Sequence, residues 1–447
     1  YVYETLDHTD AQQLKSGHNI YGQGMWAASL RYHEGRFYIC FVANDTRKTY
    51  LYTSEKIDGP WKKQLIEGFY HDGSLLFDED GRNYIVYGND EIWITELNED
   101  LTAPKKDGLH RLLVSDHKNP ELGYEGSHIQ KINGYYYIFL VHSLRDRWMR
   151  TEACFYSDSL EGEFTGGDVL CDDRGYCGQG VAQGGIVDTP DGKWYAMLFQ
   201  DSGAVGRIPI LLPVTWKDHF PVFGQNGHVP EEIEVHSTRP GYIYQPLVGS
   251  DDFCNGLLPR WQFNHDPDPR YYHLDALQGT YTITTREVCT ELTQAVNTLT
   301  QRMSYPSCAA EVTVDASALK EGDVAGLCAL QSCYAAVGIT KHHGKYEVLM
   351  LDKKEDGILD MTEGTVVESH QMDFRLEADF CNMKDEARCY YRVNKGDWLP
   401  IGTVHKLYFK LDHFTGCRFG LFCYAAEETG GSACFRDFKY YDVDEIS

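Results

Sequence analysis

Four stretches of the chain repeat one alternation. A small residue opens a strand of apolar and polar positions, a glycine-bearing turn follows, and an aromatic-rich strand returns. They read ASLRYHEGRFYICFV, GSLLFDEDGRNYIVYG, GSHIQKINGYYYIFLV and GGIVDTPDGKWYAMLF. Successive side chains of a strand point to opposite faces, so such alternation around a turn predicts a β-hairpin. The turn glycines Gly35, Gly81, Gly134 and Gly192 recur at 46 to 58 residues, a spacing that suits one four-stranded propeller blade per repeat. No long helical periodicity competes with this pattern. In a propeller the innermost strands line a central axis, so residues at the start of each repeat's first strand converge there. Trp26, Asp72, Glu125 and Gln183 all hold that place.

After Pro230 the repeat stops. The passage EEIEVHSTRPGYIYQPLVGSDDF is polar and proline-bearing, and beyond it come short alternating strands such as TYTITT, CAAEVTVD, KYEVLML and CRFGLFCYA. The predicted organisation is an all-β chain with a propeller over residues 1–235, a linker over 236–251 and a jelly-roll-like β-sandwich over 252–447.

Composition narrows the partners. Lysine and arginine number 41 against 67 for aspartate and glutamate, a net charge of −26, which repels phosphate backbones and anionic membrane surfaces. Neither nucleic acid nor membrane is an expected partner, and no apolar run approaches the ~18 residues that span a bilayer. The 14 cysteines include no CxxC pair, which weighs against a zinc or redox motif. Most lie in strand-like runs and are expected to be buried thiols, favouring the cytoplasm over secretion. The sequence opens at Tyr1, in what reads as the middle of a domain, so a signal peptide is not judged from it.

Hydrolysis of a glycosidic bond takes two carboxyl groups, one protonated to assist the leaving oxygen and one ionised to activate water or attack the sugar. Asp72 in YHDGSLLF and Glu125 in GYEGSHIQ stand at the mouths of strands on consecutive repeats. Taken alone, these carboxylates could equally accept backbone hydrogen bonds at strand ends.

The stretches GQGMWAASLRYHEGRFYICF, HDGSLLFDEDGRNYIVYG, YEGSHIQKINGYYYIFLV and GQGVAQGGIVDTPDGKWYAMLFQDSGAVGRIP together resemble glycoside hydrolase family 43 over roughly residues 20–230. The sandwich resembles the C-terminal domain of that family's two-domain β-xylosidases and α-L-arabinofuranosidases. The resemblance implies a five-bladed propeller and an exo-acting, inverting hydrolase that releases xylose or L-arabinofuranose from xylan-derived oligosaccharide or polysaccharide. It makes Glu125 the general acid and Asp72 the carboxylate that holds the proton on it and orients it. Trp26 and Ala27 match a pair that walls the sugar subsite, Arg207 in GAVGRIP matches an arginine that points to the sugar hydroxyls and Asp72, and His71 and Gln183 complete the substrate-binding set. The chemistry requires no cofactor, and no residue pattern supports a structural calcium site.

Two departures from the family pattern stand out. Asp201-Ser202-Gly203 carries serine where relatives often have histidine. The family's base, an aspartate in a DPD-like motif of the first blade, has no match before Trp26. The similar HDPDPRYY, from His265 to Tyr272, falls beyond the linker, and Asp7 and Asp10 lie outside any strand pattern. The first blade is therefore expected to be largely absent from this sequence, with a preceding segment of roughly fifty residues completing the ring. The competing expectation is a non-catalytic carbohydrate-binding propeller. Two mutually repelling carboxylates argue against it.

Overall fold

The computed structural model describes residues 1–410 and 413–442. Among them the regular elements are strands, interrupted by three single-turn 3-10 segments. Among the described residues no helix is long and apolar enough to cross a membrane. The chain divides into two units. One comprises Tyr1–Glu4, Gln23–Asp201 and Arg207–Pro240; the other comprises Thr5–Gly22, Ser202–Gly206 and Gly241–Ser447.

The first unit holds four antiparallel four-stranded sheets, each built from strands consecutive in sequence. Blade 1 is β1 (Ser29–His33), β2 (Arg36–Ala43), β3 (Lys48–Ser54) and β4 (Lys62–Ile66). Blade 2 is β5 (Ser74–Phe77), β6 (Asn83–Asn89), β7 (Glu91–Leu97) and β8 (His110–Ser115). Blade 3 is β9 (Glu125–Ile132), β10 (Tyr135–Ser143), β11 (Arg150–Ser157) and β12 (Thr165–Leu170). Blade 4 is β13 (Ala182–Asp188), β14 (Trp194–Asp201), β15 (Arg207–Lys217) and β16 (Phe220–Phe223). The four sequence hairpins are the first two strands of each blade. Glu34-Gly35 and Asn133-Gly134 both take positive φ, the backbone that two-residue hairpin turns require.

Blades stack through apolar faces. Cys40 and Leu51 of blade 1 pack with Leu75 and Ile85 of blade 2. Val86 and Ile94 meet Ile129 and Ile138 of blade 3, and Phe139 and Cys154 meet Ile186 and Leu198 of blade 4. Each such residue removed from water contributes about 1.5–3 kcal/mol.

The sequence reading expects five blades with the first largely absent from this sequence; among the described residues four blades are present, and residues 5–22 form no strand and belong to the other unit. Their polar composition offers no alternating face to add to a sheet. Each terminal blade keeps exposed apolar side chains on its outer face, although in blade 1 Tyr3 stacks on Phe41 and Tyr52 there. On β1, Arg31 reaches towards blade 2, donating to Leu75 O at 3.1 Å and Ser74 Oγ at 2.6 Å, while Leu30 and Tyr32 on the opposite face are 48% and 63% exposed. In blade 4, Ile186 and Leu198 face blade 3, whereas Val187 and Met197 are exposed.

The second unit is a sandwich of an eight-stranded and a seven-stranded sheet among the described residues. Val312 and Phe374 of the smaller sheet and Leu327, Val337 and Leu421 of the larger one share one core. Val324–Leu330 is buried at every position, because Cys328 and Leu330 turn to a second cluster with Leu292 and Tyr334. That strand consequently reads as an apolar run without alternation.

Candidate active site

Strand entry in the propeller is built on left-handed backbone. Asp72, Gly126 and Gln183 have φ of +49°, +68° and +66° at the heads of β5, β9 and β13. For the two non-glycine residues this conformation costs about 1–2 kcal/mol each, and such strain persists only where surrounding contacts over-determine it. Those contacts are visible. The Gly126 N–H donates to Asp72 Oδ2 at 3.0 Å, and Ser127 Oγ donates to the Asp72 carbonyl at 2.8 Å and to Val86 O at 3.0 Å. The Gln183 N–H donates to a Glu152 carboxylate oxygen at 2.7 Å.

The donor atoms of His71, Asp72 and Glu125 all lie within 4.8 Å of one another. His71 Nε2 stands 3.6 Å from Asp72 Oδ2 and 3.8 Å from Glu125 Oε2. Asp72 is sealed, with a side chain 5% exposed, whereas Glu125 is 16% exposed. Burial pushes the Asp72 carboxyl up to about 6; the Glu125 charge adds to this, while His71, the Gly126 N–H and Arg207 oppose it. For His71, burial lowers the pKa, but Glu125 and Asp72 outweigh it and leave the imidazole above its ordinary value. These three residues are the one group among the described residues whose donors could close on a metal ion. Asp72 Oδ2 already accepts the Gly126 N–H and Glu125 Oε2 accepts Asn89 Nδ2 at 2.9 Å, so both oxygens that would face a metal already hold hydrogen-bond donors.

The other candidates fall around this pair. The Trp26 ring packs against His71 with centroids 5.9 Å apart and planes at 55°, and Ala27 beside it is exposed. Arg207 bonds Asp201 Oδ1 through Nε at 3.1 Å and lies over the Phe199 ring at 4.3 Å. It acts on Asp72 through its charge. Gln183 does not reach the carboxylates: its Oε1 accepts from Arg150 Nη1 at 3.2 Å, and its side chain lies against Gly126, where an added Cβ would stand 2.7 Å from Gln183 Cγ.

Three residues escaped the sequence reading, and a fourth, Asp201, was read only as part of a motif. Asn89 ends β6 and bonds Glu125. Arg150 and Asp201 form a buried ion pair at 3.2 Å that continues to Arg207. Glu152 underlies Gln183. The available signal was the RTE run at the start of β11, where two charged residues alternate into an otherwise apolar strand. Asp7, Asp10 and Asp266 all belong to the second unit, where His8 bonds Asp266 at 2.9 Å.

Comparison with known proteins agrees with this geometry. The sequence profile of glycosyl hydrolases family 43 matches residues 3–221, and that of a beta xylosidase C-terminal concanavalin A-like domain matches residues 250–441. A solved bifunctional GH43-CE protein of Bacteroides eggerthii is similar with a TM-score of 0.90 and 41% identity, over 99% of this chain and 57% of that one. A Xylanibacter ruminicola protein provisionally named a beta-xylosidase is 28% identical over 72% of this chain and 61% of its own length. A Formosa agariphila beta-xylosidase is 25% identical over 95% of this chain and 78% of its own. The chain thus spans about three fifths of the first two of these proteins.

Proposed function

Because the chain belongs to glycoside hydrolase family 43, we propose that it acts as an exo-acting, inverting glycosidase that releases xylose or L-arabinofuranose from xylan-derived glycans. The observation that carries this reading is the Asp72–Glu125 pair, two carboxyls with oxygens within 4.8 Å of each other, one sealed and one more open. Glu125, the open member, is the general acid, and Asp72 keeps the proton available to it by making a second negative charge unfavourable. Asn89 orients Glu125, Trp26 and Ala27 form the sugar wall, and Arg207, anchored on Asp201, faces the sugar hydroxyls.

The apolar faces left by Leu30 and Tyr32 on one terminal blade and by Val187 and Met197 on the other are matched by a fifth blade in this reading, and that blade carries the general base. Product analysis on aryl β-xyloside, aryl α-arabinofuranoside and arabinoxylan tests the proposal, with the anomer of the released sugar reporting inversion. Binding of xylose or arabinose without turnover by the protein with all five blades would leave only a sugar-binding propeller.

A further inference from the structure

Beneath the acid pair lies a carboxyl group that the proposed mechanism does not use. Glu152 is 0% exposed on β11. One of its oxygens accepts the Gln183 N–H at 2.7 Å, and the other, Oε1, has no partner among the described residues. The charged and titratable side chains nearest along its own strand are Arg150 and Cys154. Arg150 is directed to Gln183 Oε1 and Asp201, and the Cys154 thiol is itself pushed up, by burial first and then by Glu152. From β13 it meets Gln183, which carries no charge. An ionised carboxylate sealed without a cation costs several kcal/mol, which the neutral acid avoids. The direction of its pKa agrees: burial raises it far above the ordinary glutamate range, and the Gln183 N–H only partly offsets this.

What Glu152 holds reaches the candidate site in two ways. The β13–β14 register breaks between Ala182 and Gly185, and the bulge turns Gln183 into the left-handed region with its N–H outside the ladder, where Glu152 receives it. So fixed, the Gln183 side chain lies against Gly126, whose N–H holds Asp72 and which adjoins Glu125. Its Oε1 also receives Arg150, the start of the Arg150–Asp201–Arg207 chain.

We propose that Glu152 is a positioning residue for the hydrolysis, a buried neutral acid that pins the Gln183 bulge and through it sets both the Gly126 turn beside the acid pair and the Arg150–Asp201–Arg207 chain. This rests on the glycosidase reading. A neutral acid is replaced best by an amide, because Glu152→Gln keeps a carbonyl oxygen for the Gln183 N–H, while Glu152→Leu removes it at similar volume.

The experiment compares the two variants with the unaltered protein, each in the form that carries all five blades. Steady-state kinetics on an aryl xyloside or arabinofuranoside are expected to show Glu152→Gln within about threefold of the parent. Glu152→Leu should lose about 10–100-fold in kcat with a smaller change in KM, the scale set by ångström-level misplacement of catalytic groups. Thermal denaturation across pH supplies a readout that needs no turnover. A folded-state pKa raised above the unfolded value of about 4.3 means that stability is lost as pH rises from there. The denaturation midpoint of Glu152→Gln should therefore gain on the parent's between about pH 5 and pH 8. A parent inactive on every sugar tested sinks the glycosidase reading and leaves the pH-dependent gain to be judged alone. In an active parent, equal damage from Gln and Leu, or full kcat in Glu152→Leu, overturns the positioning role. A midpoint difference that shrinks or reverses as pH rises overturns the neutral acid.

Discussion

Glu125 and Asp72 are both acidic side chains at strand mouths, but the fold gives them different solvent access, and their proposed roles follow from that difference. Glu125 is the more exposed of the two, whereas Asp72 lies beneath the Gly126 N–H. Loss of general acid catalysis costs about 10²–10⁴-fold where the leaving group needs the proton. Glu125→Gln is therefore expected to be crippled on oligosaccharides and much less affected on substrates with a nitrophenolate-like leaving group; equal losses on both would remove it from the acid role. Asp72→Asn takes away the charge that opposes a second ionisation, so the alkaline limb of the pH–rate profile should move to lower pH with a loss of rate. The same substitution has a stability signature of known sign. Asp72 is raised to about 6 in the fold, so the parent loses stability as pH climbs from about 4 through about 6, and the variant is spared that loss. Denaturation midpoints at pH 4 and pH 7 should show the variant gaining on the parent at the higher pH. The two carboxylates were legible in the sequence, since each opens a recognisable repeat. Asn89 and Arg150 were not, because a polar residue at the end or start of a strand looks the same whether it faces solvent or a neighbouring blade.

The element that sets the site is the turn into each inner strand. At Gly126 two constraints meet, a φ of +68° and the Gln183 side chain. An alanine there would strain the backbone by about 1–2 kcal/mol and press its methyl on Gln183. Gly126→Ala is expected to lower the melting temperature by several degrees and to reduce kcat more than that loss of stability explains, measured by calorimetry and kinetics at a temperature where the variant stays folded. A variant with normal turnover would show that the turn is only structural. The hairpin glycines were readable because alternation stops on both sides of them. The bulge at Gln183 was not, since GQGVAQGG offers several glycines and only the pairing with β14 reveals where the ladder breaks.

At the scale of the molecule, three inter-blade contacts are filled with apolar side chains, and the outer faces of the two terminal blades still expose some of theirs. Leu30 and Tyr32 lie opposite the Arg31 face and are exposed, so replacing both with serine should cost little in the isolated chain, within about 0.5 kcal/mol each as for ordinary surface positions. The same pair should be costly in a protein whose fifth blade covers them. Chemical denaturation of the two forms tests this, and equal effects in both would mean that no blade seats there. If a fifth blade carries the base as proposed, residues 1–447 alone are expected to turn over aryl xylosides negligibly, because water attack would then lack that base. Robust turnover by that polypeptide would place the base among its own carboxylates.

The sequence by itself determined what local patterning controls: the strand class, the hairpin repeats and their period, the change of architecture after Pro230, and the two carboxylates that open consecutive repeats. These follow from side-chain alternation and from backbone freedom at a few glycines, both readable along the chain. Only the tertiary structure decided which distant groups meet. Glu152 and Gln183 are 31 residues apart and Asp72 and Gly126 are 54 apart, and no periodicity links them. Residues 5–22 form part of the C-terminal unit rather than of the blade they precede, and local patterning does not carry that information. Such pairings arise when sheets stack and exclude water from what lies between them, and there a carboxyl group becomes either a sealed structural acid or an open catalytic one.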